Sequence, residues 1–449
     1  MINLLLYCFL LLHANGKRTA VKIGALFPFY MGPSQPSYSG MRHLEAFRLA
    51  VAAVNKNKNI LPTTEMKYSI RESQGKPGVA AVATQSLIVE SKVDVVLVGG
   101  EDVFAAYAAA AAEEMAFIGH TATAPSLSDK SVYPNFVRTS ISASLVARNI
   151  AAFVRSSVLG ASHVKVISGS DEYSSDLTHS FLQHAASRSI GVIDTVQFTA
   201  GSKNLMASVA LLFQDLEVQR ASSEIGTQHL VLVFAGASDT INVMKAAHSM
   251  GVSGSRVTWI LSESVLEEND AFRVSMGDDL DVIMAGSFVV HASNGRDSAA
   301  YVSLWDNWKT QQATSGTLVE SGIEKEHTAD AAKTTYGVHG MGPKCKSGVD
   351  SDGNNLYMFD DDDNESTPKS CGGVNFVVDA DATKTLTFYI PFVFDAVFLV
   401  AHALHELIEV NNADTFTATE LVHAMKQISF QGASGAVMLN VDGDRRVDE

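Results

Sequence analysis

The chain has 449 residues, 46% of them hydrophobic and 18% charged, with a formal net charge of −16. That length exceeds one ordinary core, so two domains are expected, and the apolar content excludes bulk disorder. The negative balance excludes a nucleic-acid partner, which demands a basic footprint. Seven acids lie between Asp350 and Glu365, yet without them the charge is still −9 (−16 + 7), so the acidity is general and reads as a solvated surface.

Residues 4–12, LLLYCFLLL, are too few to span a bilayer and fit the apolar region of a secretory leader, although no Lys or Arg precedes them. Ala14 and Gly16 put small residues at −3 and −1, so residues 1–16 are read as a signal peptide. Cys8 leaves with it. Cys345 and Cys371 remain, an even number suited to an oxidising compartment, and they enclose 25 residues. A bridge there contributes about 3 kcal/mol, less any native strain. Asn364-Glu365-Ser366 inside that loop is a glycosylation sequon.

From residue 21 strands and helices alternate. VKIGALF is a buried strand and Met41 to Asn55 a helix. MKYSIRES, VDVVLVGG and AFIG are further strands, separated by helices over Val79 to Glu90 and Phe104 to Met115. Repeated units of this kind predict a parallel sheet covered on both faces. The rhythm restarts at HVKVISG and runs through GVIDTVQF, HLVLVFAG and RVTWILSE, with helices at Ser174 to Ser189, Ser202 to Leu216 and Asp239 to Met250. Two α/β sets mean two lobes. VIMAGSFVVHAS is expected to return to the first, and Pro391 to Val410 is the most apolar helix. Its Asp395, His402, Glu406 and Glu409 share one narrow face, and the interrupting Asp and His residues speak against a membrane span.

Three stretches, TATAPSLSDKSVYPNFVRT, FDAVFLVAHALHEL and FQGASGAVMLNVDGDR, occur in this order and together reach residue 445. They resemble the type I periplasmic-binding-protein fold, and most closely the ligand-binding regions of class C receptors such as the metabotropic glutamate and GABA-B receptors. The resemblance implies a two-lobed Venus flytrap, each lobe a mainly parallel sheet flanked by helices, with three crossings as a hinge. The expected division is lobe 1 over 17–140, lobe 2 over 141–286, lobe 1 again over 287–427 with the acidic loop 345–371, and a closing hairpin over 428–449 returning to lobe 2.

Strand ends of such sheets bind ligands. Thr121-Ala122-Thr123 follows an apolar strand, where hydroxyls and backbone N–H groups suit a carboxylate; the resemblance assigns this position to an amino acid's carboxyl and amino groups. The alternative is turn chemistry, for which Thr is common. Glu263 ends a second-lobe strand, either to pair with a ligand ammonium, as the resemblance implies, or to serve as a helix-start acid. The resemblance makes Tyr173 an aromatic cover from the second lobe; otherwise it is a loop tyrosine.

Two features depart from the amino-acid-binding pattern. The turn Gly99-Gly100-Glu101-Asp102 puts two acids at a helix start, where relatives hold a carboxylate. Ala143 stands where glutamate-binding relatives carry Asp. Both disfavour a glutamate-like ligand and favour an amine-bearing one.

DSDGNNLYMFDDDD is rich in oxygen ligands, but the calcium-loop pattern fails at Asn355 and Asp361, so no metal is assigned. No cofactor motif is present, and HALHE is neither zinc-binding helix pattern, so no enzymatic activity is assigned. The expected function is an extracellular ligand-binding domain of a cell-surface receptor, closing around a small amino-acid-like or amine ligand. The alternative is a free-standing solute-binding protein for amino acids. Dimerisation through lobe 1 is left open, and a membrane would be met only through a segment outside this chain.

Overall fold

The computed structural model describes residues 18–29, 37–100, 102–214, 229–252, 257–267, 280–284, 287–291, 295, 298–314, 345–349, 355–359 and 387–446. The first α/β set forms a five-stranded sheet in the order β2-β1-β3-β4-β5, every pair parallel. Its strands are β1 (Ala20–Phe27), β2 (Glu65–Glu72), β3 (Val95–Val98), β4 (Ala116–Gly119) and β5 (Phe136–Arg138). β3 and β4 are buried at every position, as short apolar runs covered on both faces must be. Successive side chains divide between the faces. Val95 and Leu97 join the core beneath α1 (Tyr38–Lys56), whereas Val96 and Val98 face α2 (Pro77–Val89) and α3 (Asp102–Ala109). α3 stops well short of the expected Met115, and Glu114 in the turn that follows has φ +47°.

The second set forms a separate sheet, β10-β9-β8-β6-β7, also parallel throughout. Its strands are β6 (His163–Gly169), β7 (Gly191–Phe198), β8 (His229–Phe234), β9 (Val257–Leu261) and β10 (Ser287–Val289). α4 (Ala143–Val154) and α5 (Glu172–Ser187) cover one face; α6 (Met206–Leu212) and α7 (Ala237–Ser249) cover the other. Two parallel sheets flanked by helices make this a two-lobed α/β protein of the periplasmic-binding-protein type I class.

The return to the first sheet comes later than expected. Ser287–Val289, read as lobe 1, pairs with Trp259–Leu261 as an edge strand of the second sheet. A three-residue strand is too short to carry a periodicity that says which sheet claims it; pairing decides. α8 (Ala299–Thr314) and α9 (Ile390–Leu404) then add Leu304, Trp308, Val393 and Val397 to the first core. α9 runs on as a wide turn over His405–Val410. Ile390–Val410 is long and apolar enough to cross a membrane, but 72% of its most apolar window is buried inside the protein.

α10 (Ala418–Gln427) opens on a capping box between Thr417 and Glu420. The hairpin β13 (Ser429–Gly432) and β14 (Gly435–Met438) follows. It was expected on lobe 2, but Ala433 and Leu439 lie in the first core. The reason is Asp395 on α9. This buried carboxylate accepts from Ala433 N at 2.6 Å, Ser434 N at 2.7 Å and the Ser434 hydroxyl. A side chain at Gly432 would strike that carboxylate at 2.4 Å, so the hairpin approaches α9 through glycine.

The leader 1–16, Glu101, Asn364 and Cys371 lie outside the described residues. Cys345 opens an antiparallel hairpin, β11 (Cys345–Val349) with β12 (Asn355–Phe359), inside the acidic loop.

Candidate functional site

The lobe 1 part begins at the ends of β3 and β4. The backbone N–H of Gly100 donates to the Thr121 hydroxyl oxygen at 2.8 Å. That is turn chemistry, joining the two strand ends. Gly99 is required here: an added Cβ would meet the His120 ring and the Thr121 hydroxyl at 2.4 Å. Thr123 is buried, and its carbonyl accepts from Ala143 N at 2.8 Å. The loop is thereby tied to the start of α4, a helix of the other lobe. Ala122 is buried, and its carbonyl accepts from Arg138 and from the Ser140 hydroxyl.

Asp102 does not crowd this turn with exposed charge. It is buried at the start of α3, where burial pushes its carboxyl up and a hydrogen bond with the Ser73 side chain partly offsets the rise. The expected repulsion of a ligand carboxylate therefore loses one of its two acids to an internal role.

His120 escaped the sequence reading. It is 2% exposed, tilted against Phe27 and edge-on to His43 at 5.1 Å, and neither ring nitrogen has a hydrogen-bond partner among the described residues. Burial, with His43 adding to it, holds its pKa well below the usual imidazole range, so it is neutral at physiological pH. A lone His in GHTATA carries no signal of this, because the rings that bury it come from β1 and α1.

The lobe 2 part assembles at the end of β9. Glu263 is 2% exposed and lies one residue beyond Ser262, whose hydroxyl is spent on Ala235 O at 2.7 Å. Burial raises the Glu263 carboxyl; its own backbone N–H and the phenols of Tyr173 and Tyr389 offset part of the rise. Neither carboxylate oxygen nor the buried Tyr173 hydroxyl completes a well-aligned hydrogen bond. The phenols thus face the carboxylate without saturating it. Tyr173 in turn is pushed well above its usual range, chiefly by burial and then by the Glu263 charge.

Tyr173 and Glu263 are therefore brought together as a pair. Tyr389 is the third member, and sequence reasoning missed it: it sits just before α9, over two hundred residues from Tyr173. Its ring packs edge-on to Phe388 at 4.9 Å, beside Phe392, in the core that α4 and α5 share. A site of this kind can neutralise and enclose a small cation. Among the described residues the Thr121–Thr123 loop makes no direct bond to Glu263. Its link to the second lobe is the bond to Ala143, which lies in the same core as Tyr173 and Tyr389. No group of three or more metal-ligating side chains occurs among the described residues.

Comparison with known proteins fits this arrangement. Over 133 residues the chain is 31% identical to gamma-aminobutyric acid type B receptor subunit 1 of Mus musculus, and equally to that of Rattus norvegicus. The match covers 29% of this chain and 13% of each relative, so it spans a small part of those receptors. The model of the receptor family ligand binding region matches residues 42–448, which takes in every strand of the two sheets except β1. A match of that extent, over two parallel sheets joined as seen here, establishes that this chain belongs to the family of receptor ligand binding regions.

Proposed function

We propose that the chain is the extracellular ligand-binding domain of a cell-surface receptor and closes around a small ligand bearing a protonated amine. The observation that carries this is Glu263, a carboxylate buried between two phenols with no saturating partner. A buried charge is costly unless paired, and an ammonium supplies both the charge and the donors that Glu263 lacks. Tyr173 and Tyr389 add aromatic surface for the carbon frame. On the first lobe, Thr123 is the candidate contact, while Thr121 keeps the turn in shape. We assign the site no catalytic role. The matched relatives carry gamma-aminobutyric acid in their name, so amino acids with a free terminal amine are the first class to test.

A thermal-shift screen over amino acids and simple amines finds the ligand, because binding to the folded state alone raises the melting temperature. Calorimetry then compares the parent with Glu263→Gln, which keeps shape and removes charge. The expected loss is on the order of 2–5 kcal/mol, roughly 30- to 4,000-fold in affinity. Equal binding by the two proteins would sink the amine clamp and leave Glu263 a helix-start acid.

A further inference from the structure

The segment Asn440–Arg445 follows β14 and belongs to neither sheet, yet it grips the strand and loop that carry Thr121–Thr123. The Arg138 backbone N–H donates to Gly443 O at 2.9 Å. Asp444 accepts from Arg138 Nε at 2.8 Å with one oxygen and from the Ser128 hydroxyl at 2.6 Å with the other. Arg445 donates to Thr139 O at 3.3 Å. Two neighbouring residues of β5 and its exit are thus held by three successive residues from the far end of the chain.

Arg138 passes this grip on. Its side chain is fully buried, and Nη1 donates to Ala122 O at 3.1 Å and to Ala124 O at 2.7 Å. Those carbonyls flank Thr123 on either side. Nη2 donates to the Ser128 hydroxyl at 2.7 Å, closing the loop's other end. A guanidinium is a planar fork with donors at fixed angles, so fixing Nε fixes where the other nitrogens point. Asp444 also supplies negative charge to a cation that the protein has removed from water.

The segment is built to hold that carboxylate still. Asn440 Oδ1 accepts from the backbone N–H of both Asp442 and Asp444 at 2.9 Å, and Asn440 N donates to Asp444 O at 2.9 Å. Gly443 has φ +70°, and a Cβ there would meet Val137 Cγ1 at 2.8 Å, so the turn lies directly on β5.

We propose that Asp444 is a positioning residue for the ligand loop: it neutralises and aims Arg138, which clasps the Ala122 and Ala124 carbonyls and sets Thr123 between them. Its effect on affinity rests on the function proposed above; its effect on loop order does not.

Hydrogen exchange read by mass spectrometry on the full chain separates the two. The comparison is parent, Asp444→Asn and Asp442→Asn, the last being an exposed neighbour with the same charge change. Amides in 118–128 of Asp444→Asn should exchange about tenfold faster, while β8 is unchanged and Asp442→Asn matches the parent. Unaltered exchange in 118–128, or a rise shared equally by β8, overturns the proposal, since the second would mark a general loss of stability. Ser128→Ala keeps the ion pair and the bonds to Ala122 and Ala124 and removes the hydroxyl's bonds with Asp444 and Arg138, so it should give a smaller, equally local rise; it carries the test if Asp444→Asn does not fold. With γ-aminobutyric acid as calorimetric probe, Asp444→Asn should bind about tenfold more weakly than the parent. A parent that does not bind this probe counts against the functional reading, and the exchange result still decides the role of Asp444.

Discussion

Glu45 is a carboxylate that the fold keeps from ionising normally. It lies on α1 with Oε2 buried and unpartnered, and burial lifts its pKa from 4.5 to about 7, against the lowering pull of Arg48. The folded protein therefore holds this proton where the unfolded chain has released it, and stability falls as pH rises from 4.5 to about 7. Below that window both states are protonated and the group costs nothing. Glu45→Gln should remove this part of the slope, worth on the order of 1–3 kcal/mol above the window. Denaturant titrations of both proteins between about pH 4 and 8, a range that brackets the transition, check this. Glu263 acts in the same direction, since its carboxyl is also raised by burial. An amine ligand reverses that effect by favouring the charged form, so ligand affinity should weaken when acid protonates Glu263.

At the scale of elements, α9 and the hairpin β13–β14 behave as one unit joined by Asp395. Arg445 completes it, donating to the Ser434 hydroxyl at 3.0 Å and lying over the Phe392 ring. Asp395→Asn keeps the shape but loses the charge opposite Arg445 and turns one acceptor into a donor facing a backbone N–H. We expect a loss of roughly 2–4 kcal/mol by chemical denaturation. At α10, Thr417→Ala breaks a capping box on an exposed helix start and should cost only about 1 kcal/mol. The contrast between the two separates a buried charged junction from a local cap.

At the scale of the whole molecule, polar bonds among the described residues tie the two lobes together. Thr123 O to Ala143 N is one; another is the Thr139 hydroxyl, which donates to Phe392 O at 2.9 Å. In the proposed function closure is an equilibrium, and a ligand shifts it only by touching both lobes. Small-angle scattering should show a smaller radius of gyration with a confirmed ligand than without. An unchanged radius would leave binding intact and remove the closing clamp. Dimerisation through lobe 1 belongs to the same reading, and sedimentation analysis of the purified domain tests it.

The alternation of strands with helices was legible from residues 21 to 261, because the central strands β3, β4, β8 and β9 are buried at every position and so are almost wholly apolar. The resemblance carried by TATAPSLSDKSVYPNFVRT pointed to the family. Thr121–Thr123, Tyr173 and Glu263 were singled out because each follows an apolar strand, a local property, and matches a position that the resemblance assigns to a ligand. What the chain alone left open is whatever depends on partners distant in sequence. Ser287–Val289 was expected in lobe 1, but its hydrogen bonds choose β9. The hairpin's lobe is set by one buried carboxylate, Asp395, that reads as part of a polar stripe. Tyr389 joins Glu263, His120 is buried by β1 and α1, and Asp444 reaches Arg138 only because the chain folds back on itself. Periodicity and turn chemistry are local and can be read along the chain; burial and pairing of single polar groups are set by long-range packing, so only the tertiary structure decides them.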